Sequence, residues 1–234
     1  SPSDLCGALK MAIASVDRLF IRELGLQDYR STYESMRSFT ASRNESTPDE
    51  IWFLQHQPVY TRGVSCRDQP WGDGSNVLLV DSDRGGQITY HGPGQLIGYL
   101  MLDLRRRRLG IRQLVSHIES VIVEVLSEYA VAGSTHPGAP GVYINGAKIA
   151  ALGLRIRNGC TYHGVSLNVD MDLAPFDFID PCGYESLPVT QLRDLGVSSG
   201  ISDLETALAK RFQKTLGYSS LSRIPCERSS VSQY

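Results

Sequence analysis

The chain has 234 residues, a formal charge of −2 and an apolar fraction of 41%. That length fits one large domain or two small ones and is enough to bury a real core, and the composition excludes disorder and a collagen-like fibre. No stretch approaches the roughly 20 apolar residues of a transmembrane helix, and the near-neutral charge gives no global reason to expect nucleic acid or a membrane surface. Ser1 to Phe20 lacks a signal-peptide pattern, although a start at Ser rather than Met leaves a removed targeting segment open. The five cysteines, at 6, 66, 160, 182 and 226, are odd in number and widely spaced, with no Cys-x-x-Cys. They do not make a disulfide framework, and a reducing cytoplasm is the simplest reading.

In chain order, Leu26 to Arg43 is expected to be a helix, with Tyr29, Tyr33, Met36 and Thr40 at helical spacing. Ile51 to Tyr60 reads as a strand ending near Pro58, Ser65 to Asn76 as a loop rich in Asp and Gly, and Val77 to Asp81 as a short strand. In the Gly-rich stretch Arg84 to Gly94, Pro93-Gly94 suits the centre of a type II turn. Gln95 to Leu104 is apolar on both parities, as a buried strand would be. Ile111 to Tyr129 is the clearest helix, with Ile111, Leu114, Val115, Ile118, Val121, Ile122, Val125 and Leu126 in one stripe. A loop is expected over Gly133 to Gly141, then strands over Lys148 to Ile156 and Val165 to Met171. Ser202-x-x-Glu205 has the form of a capping box ahead of a last helix, and residues 219–234 read as a loose, Ser-rich tail. Strands bunched in two groups around a central helix predict an α+β fold.

Four features could carry chemistry. Cys182, in Asp180-Pro181-Cys182-Gly183-Tyr184, is held between a residue of fixed φ and one of free backbone, which suits an exposed nucleophile in a defined turn. Its thiol would need activation, and the competing reading is a small buried hydrophobe. Lys148 opens an apolar strand. Strict period two places it with Ala150, Leu152, Leu154 and Ile156, where desolvation would lower its pKa and let it exchange protons near neutrality; alternatively its stem packs while the amine reaches water. The stretch Arg84 to Gln95 allows a ligand close to the Gly85-Gly86 backbone but is no phosphate loop. His91 and His163 suit either a base or a structural hydrogen bond. Cys160-x-x-His163 is only half a zinc spacing, so no metal is expected, and Ser166 lacks a Gly-x-Ser-x-Gly context. The run Arg105 to Arg108 admits two readings: a solvated basic turn, or a contact for an acidic protein partner.

Taken together, Arg84-Gly-Gly-Gln-Ile-Thr-Tyr-His91-Gly-Pro-Gly-Gln95, Gly146-Ala-Lys148-Ile-Ala-Ala-Leu-Gly153, His163-Gly-Val-Ser-Leu-Asn168 and Pro181-Cys182-Gly183 resemble the lipoyl(octanoyl) transferases, in that family's order and spacing. The resemblance covers about residues 20 to 217. It implies one catalytic domain there, residues 1–19 as an N-terminal extension and 218–234 as a flexible tail. The implied fold is that of the biotin and lipoate protein ligases, a mixed sheet flanked by helices. It further implies Cys182 as the acyl-thioester nucleophile and Lys148 as the group that lowers its pKa. The acyl site would be lined by Arg84, Gly85, Gly86, Gln87, Ile88, Thr89, Tyr90 and His91, with Ala151, Leu152, Gly153, Gly164, Val165 and Ser166. The implied activity is acyl transfer at the start of protein lipoylation. Its donor would be octanoyl-acyl carrier protein and its acceptors apo lipoyl domains, such as glycine cleavage H protein and 2-oxoacid dehydrogenase E2, with no cofactor. An ATP-dependent ligase of the same fold, a noncatalytic carrier-binding module and a cysteine hydrolase or amidotransferase are the alternatives. The loop Ser65 to Asn76, with Cys66 and Trp71, departs from the family pattern.

Overall fold

The computed structural model describes residues 16–68, 76–179 and 187–225. The chain enters on β1 (Arg18–Gln27) and turns into α1 (Tyr29–Ser42). Asp28 caps that helix by accepting from the Ser31 N–H at 2.9 Å, which ends the strand at Gln27 and starts the helix three residues later than periodicity suggests. The expected strand over Ile51 to Tyr60 is two: β2 (Asp49–His56) and β3 (Val59–Arg62). Pro58, which cannot donate to a ladder, separates them. β4 (Leu79–Asp81), β5 (Ile88–His91) and β6 (Gln95–Met101) follow. The turn between the last two has the expected form, with Gly94 at φ 86° and Gln95 N–H donating to the Gly92 carbonyl at 3.2 Å.

A single turn, α2 (Leu104–Arg107), leads to α3 (Ile111–Glu128). Residues 133–141, expected to be loop, instead supply β7 (Ser134–His136) and the start of β8 (Ala139–Ile144). β7 is fully exposed, so no hydrophobic alternation marks it. β9 (Ala147–Arg157) and β10 (Cys160–Asn168) form the longest hairpin. β10 starts five residues before the expected strand because Thr161 and His163, polar but buried, mask its pattern. The last helix, α4 (Ile201–Thr215), is capped by Gly200 and not by a Ser202/Glu205 box; Glu205 is buried on its inner face, where burial and nearby Glu23 push its carboxyl up to about 7. Part of the expected tail is ordered: β11 (Ser220–Ile224) pairs in parallel with β1.

The strands form an eight-stranded mixed sheet, β11-β1-β2-β6-β10-β9-β8-β7, and a small sheet, β4-β3-β5. Alternation along β2 and β6 divides the core. Phe53, Leu96 and Leu100 face α3 and α4 through Ile118, Val125 and Phe212, whereas Trp52, Leu54, Ile97 and Tyr99 face α1 through Met36. The arginine run is part of this frame. Fully buried Asp49 receives Arg43 at 2.5 Å and the Tyr218 hydroxyl at 2.7 Å, with Arg106 at 3.4 Å and Arg107 at 3.7 Å. The Arg107 guanidinium also lies 3.6 Å over the Tyr218 ring. This cluster sits at the Cys160 end of β10, so the run is largely a staple rather than a solvated turn.

Candidate active site

On the α1 face of the sheet a cavity of about 660 Å³ opens over β6, β10 and β9. Three cross-strand rows make its floor: Gln95 beside Asn168, then Ile97, Ser166 and Ala151, then Tyr99, Gly164 and Gly153. Leu152 and Val165, which alternate with these, also border it. One wall is the Gly-rich loop, with Arg84, Gly85, Gly86, Gln87, Ile88 and Thr89 all lining the cavity, and His91 of β5 continues that wall. Tyr90 turns away, packing on Tyr60 and edge-on against Phe176 in the small apolar cluster beneath.

Lys148 lines the same cavity, but not by the route that alternation suggests. In the β8–β9 ladder Ala150 stands opposite Val142 while Lys148 stands opposite Tyr143, so Ile149 is an extra residue and the phase slips. Lys148 therefore falls out of register with Ala150, Leu152 and Leu154. Its ammonium lies 5.4 Å over the Tyr143 ring. Burial pushes its pKa down, and no carboxylate among the described residues compensates the charge. Its backbone is clamped by the segment after residue 186: Lys148 N–H donates to Pro188 at 2.7 Å and Thr190 N–H donates to Lys148 at 3.0 Å.

Arg84 builds the loop from within. Its guanidinium is buried and donates to the Thr61 hydroxyl (2.9 Å), the Thr61 carbonyl (2.6 Å), Gly85 (3.0 Å) and Gln87 (2.6 Å), all neutral acceptors. Gly85 N–H then bonds Leu154 at 3.1 Å, seating the loop on the free edge of β9. The contact requires Gly153: a Cβ there would lie 2.9 Å from the Gly85 oxygen.

The two histidines resolve into neutral hydrogen-bonding groups. His91 Nδ1 meets Gln95 Oε1 at 2.7 Å, and burial, with His56 nearby, pushes its pKa down to about 3. His163 takes φ 59° in the middle of β10, which swings its ring onto Tyr162 at 4.9 Å and lets Nε2 donate to Asp83 at 2.8 Å. Burial pushes the Asp83 carboxyl up, but hydrogen bonds from His163, Tyr162 and Tyr33 outweigh it and hold the group well below the usual range. Burial lowers His163 despite that partner. Cys160 lies at the far end of β10, 4.0 Å from Arg105, and shares no site with His163. Sequence reasoning missed Tyr29, Tyr99 and Asn168 as cavity residues; only the alternation along β6 and β10 pointed to the last two.

Cys182 lies outside the described residues, with Asp180, Pro181, Gly183 and Tyr184, as do Trp71, Cys6 and Cys226. The residues on either side, Ile179 and Leu187, both line the cavity.

Residues 28–213 match the family described as lipoyl protein ligase A/B catalytic domain. The octanoyltransferase of Nitrosospira multiformis is 52% identical over 198 residues, 85% of this chain and 92% of that protein. That of an Azoarcus species is 52% identical over 199 residues, 85% of this chain and 88% of its own. Among solved structures, a bipartite lipoate protein ligase from Thermoplasma acidophilum superposes with a TM-score of 0.70 at 17% identity, covering 89% of this chain and 87% of that one. Lipoate-protein ligase A bound with ATP does so with 0.68 at 16% identity, covering 89% of each chain. These last two share the mixed sheet flanked by helices, and the closer relatives share the sequence along nearly its whole folded length. The chain belongs to the lipoyl protein ligase A/B catalytic domain family, on its octanoyltransferase side.

Proposed function

We propose that this acyltransferase of protein lipoylation takes its octanoyl group from acyl carrier protein and passes it through a thioester on Cys182 to a lysine of an apo lipoyl domain. The observation that carries the reading is Lys148: a desolvated amine on the cavity wall, pinned by the strand bridge to Val189. In sequence Cys182 is three residues after Ile179 and five before Leu187, both of which line the cavity.

Neutral Lys148 takes the Cys182 proton, and the thiolate attacks the thioester carbonyl. The carrier's sulfur leaves and receives that proton, giving octanoyl-Cys182. The acceptor lysine's amine then attacks, Lys148 accepts its proton, and the cysteine thiol is regenerated. His91, pushed down to about 3, is a weak base at neutral pH, which supports giving the proton work to Lys148. Backbone N–H groups beside Cys182 and around Leu152-Gly153 would hold the oxyanion. The catalytic unit spans about residues 20–217. The acceptors fitting this chemistry are glycine cleavage H protein and 2-oxoacid dehydrogenase E2 domains. No helix among the described residues is long and apolar enough to cross a membrane, and a cytoplasmic setting suits the free thiol.

The test is intact mass after brief incubation with octanoyl-acyl carrier protein. One octanoyl group, removed by hydroxylamine and absent in Cys182→Ser, is expected. An adduct that persists in the variant, or transfer that requires ATP and free acid, would overturn the reading.

A further inference from the structure

A chain of buried amides runs from the cavity wall to the strand of Lys148. Asn168 Nδ2 donates to the Thr190 carbonyl at 3.1 Å. A backbone carbonyl can only accept, so the Asn168 amide has one orientation, with Oδ1 turned to Gln95 at 3.0 Å. The group of Gln95 facing it must then be Nε2, which also donates to the Tyr90 carbonyl at 3.3 Å. Gln95 Oε1 is left for His91 Nδ1 at 2.7 Å. That oxygen bears no hydrogen, so the proton of the imidazole sits on Nδ1. Nε2 is a bare lone pair on a ring that lines the cavity, with no hydrogen-bond partner among the described residues. Gln95 and Asn168 are themselves buried, and each bonds a main-chain carbonyl that fixes it. The far end is tied to the reaction centre, since Thr190 N–H donates to the Lys148 carbonyl at 3.0 Å.

We propose that Gln95 and Asn168 are positioning residues that lock His91 in its Nδ1–H tautomer, so that Nε2 accepts an N–H of the amine attacking the acyl group. The acyl chain and its thioester carbonyl carry no N–H or O–H to offer that lone pair. An incoming amine carries N–H groups and must aim its own lone pair at the carbonyl. Anchoring one N–H on a fixed acceptor orients the amine without removing its proton, which leaves that step to Lys148. The assignment rests on the covalent transfer proposed above.

Two measurements on the whole chain test it. In protein labelled with ¹⁵N-histidine, two-bond ¹⁵N–¹H correlations should show His91 protonated at Nδ1 and bare at Nε2 near neutral pH, and Asn168→Leu should bring in the second tautomer. A wild-type His91 protonated at Nε2 overturns the proposal whatever the variants do. In single turnovers, octanoyl-Cys182 is first formed from octanoyl-acyl carrier protein and then chased with an apo lipoyl domain. His91→Asn keeps a donor for Gln95 but has nothing at the Nε2 position. Its loss in the chase should exceed any loss in loading by tenfold or more. An equal loss in both steps, or a defect confined to loading, overturns the proposal. A wild-type chain that forms no octanoyl-Cys182 overturns the parent reading instead.

Discussion

Lys148→Met separates catalytic from structural roles because the two predictions have opposite signs. The exchange roughly keeps stem length and volume and removes the charge, so the packing part of its cost should stay under the about 1.5 kcal/mol of volume-conserving swaps. Here the folded protein already disfavours the ammonium through burial, with no carboxylate among the described residues to offset it. In the unfolded chain the amine titrates near its ordinary value of about 10.4. Below the folded pKa both states hold the proton and the full desolvation penalty acts on the native state. As pH rises through the folded pKa the native amine sheds its proton and the penalty fades, vanishing above the unfolded pKa. Lys148→Met should therefore match or exceed wild-type stability at pH 7, and any advantage should shrink as pH approaches about 10. Octanoyl transfer to an apo lipoyl domain should fall by about 10²- to 10⁴-fold, the usual contribution of a general acid–base group. Urea denaturation at the two pH values and a discontinuous transfer assay measure both. A variant that keeps more than about a tenth of the activity refutes the proton-transfer role. A loss of more than about 2 kcal/mol at pH 7 refutes the electrostatic reasoning, because Lys148 would then be an anchored structural cation.

Gly94→Ala should cost about 3 kcal/mol or more in denaturant unfolding, because φ 86° strains any L side chain, the new Cβ enters the Asp170 carbonyl, and the bonds from Val169 and Asp170 N–H to Gly94 would be lost; a variant within about 1 kcal/mol of wild type contradicts the turn analysis. Asp83 is held ionised by His163, Tyr162 and Tyr33. It therefore contributes stability that is present above its unfolded value of about 3.9 and lost as pH falls below it. The gap between wild type and Asp83→Asn should accordingly begin to narrow only below about pH 4 and keep narrowing as pH falls further, which thermal melts from pH 7 to pH 2 would follow. Ala151→Leu fills the middle of the cavity floor and should shift acyl preference from octanoyl to hexanoyl or shorter in competition assays; unchanged preference would place the chain elsewhere.

Much of the site was legible because it is written in local motifs. Pro93-Gly94 dictates its turn, and the Gly85-Gly86 pair indicates where backbone approaches. Other features have no local signature. The slip at Ile149 that turns Lys148 toward Tyr143 depends on pairing with β8, a strand hidden in a segment that looks like loop. Glu205 imitates a cap because its inward orientation is a property of packing, not of spacing. The arginine run looks solvated until Asp49, more than fifty residues earlier, is placed beneath it. His163 fits the alternation of β10 only by sequence; its left-handed backbone puts it on the other face, beside Asp83. In each case the deciding partner is distant in the chain.

In the proposed function the acyl chain lies along the cavity floor, whose dimensions suit eight carbons. On β9 and β10 its residues are small: Ala151 and Ser166 in the second row, and Gly153 and Gly164 in the third. From the first row to the third is four residues along a strand, about 13 Å. With C–C bonds of about 1.5 Å, an extended octanoyl chain spans about 9 Å. A reacting carbonyl beside Lys148 would then send its methyl end between the second and third rows. Burial of seven carbons there, at about 0.8 kcal/mol each, would supply some 5–6 kcal/mol of affinity. Beyond lies Tyr99, 4% exposed and tied to His56 through its hydroxyl at 2.7 Å. In that placement a chain several carbons longer would displace that ring and break its bond, so the cost of extension would rise where the gain from burial stops.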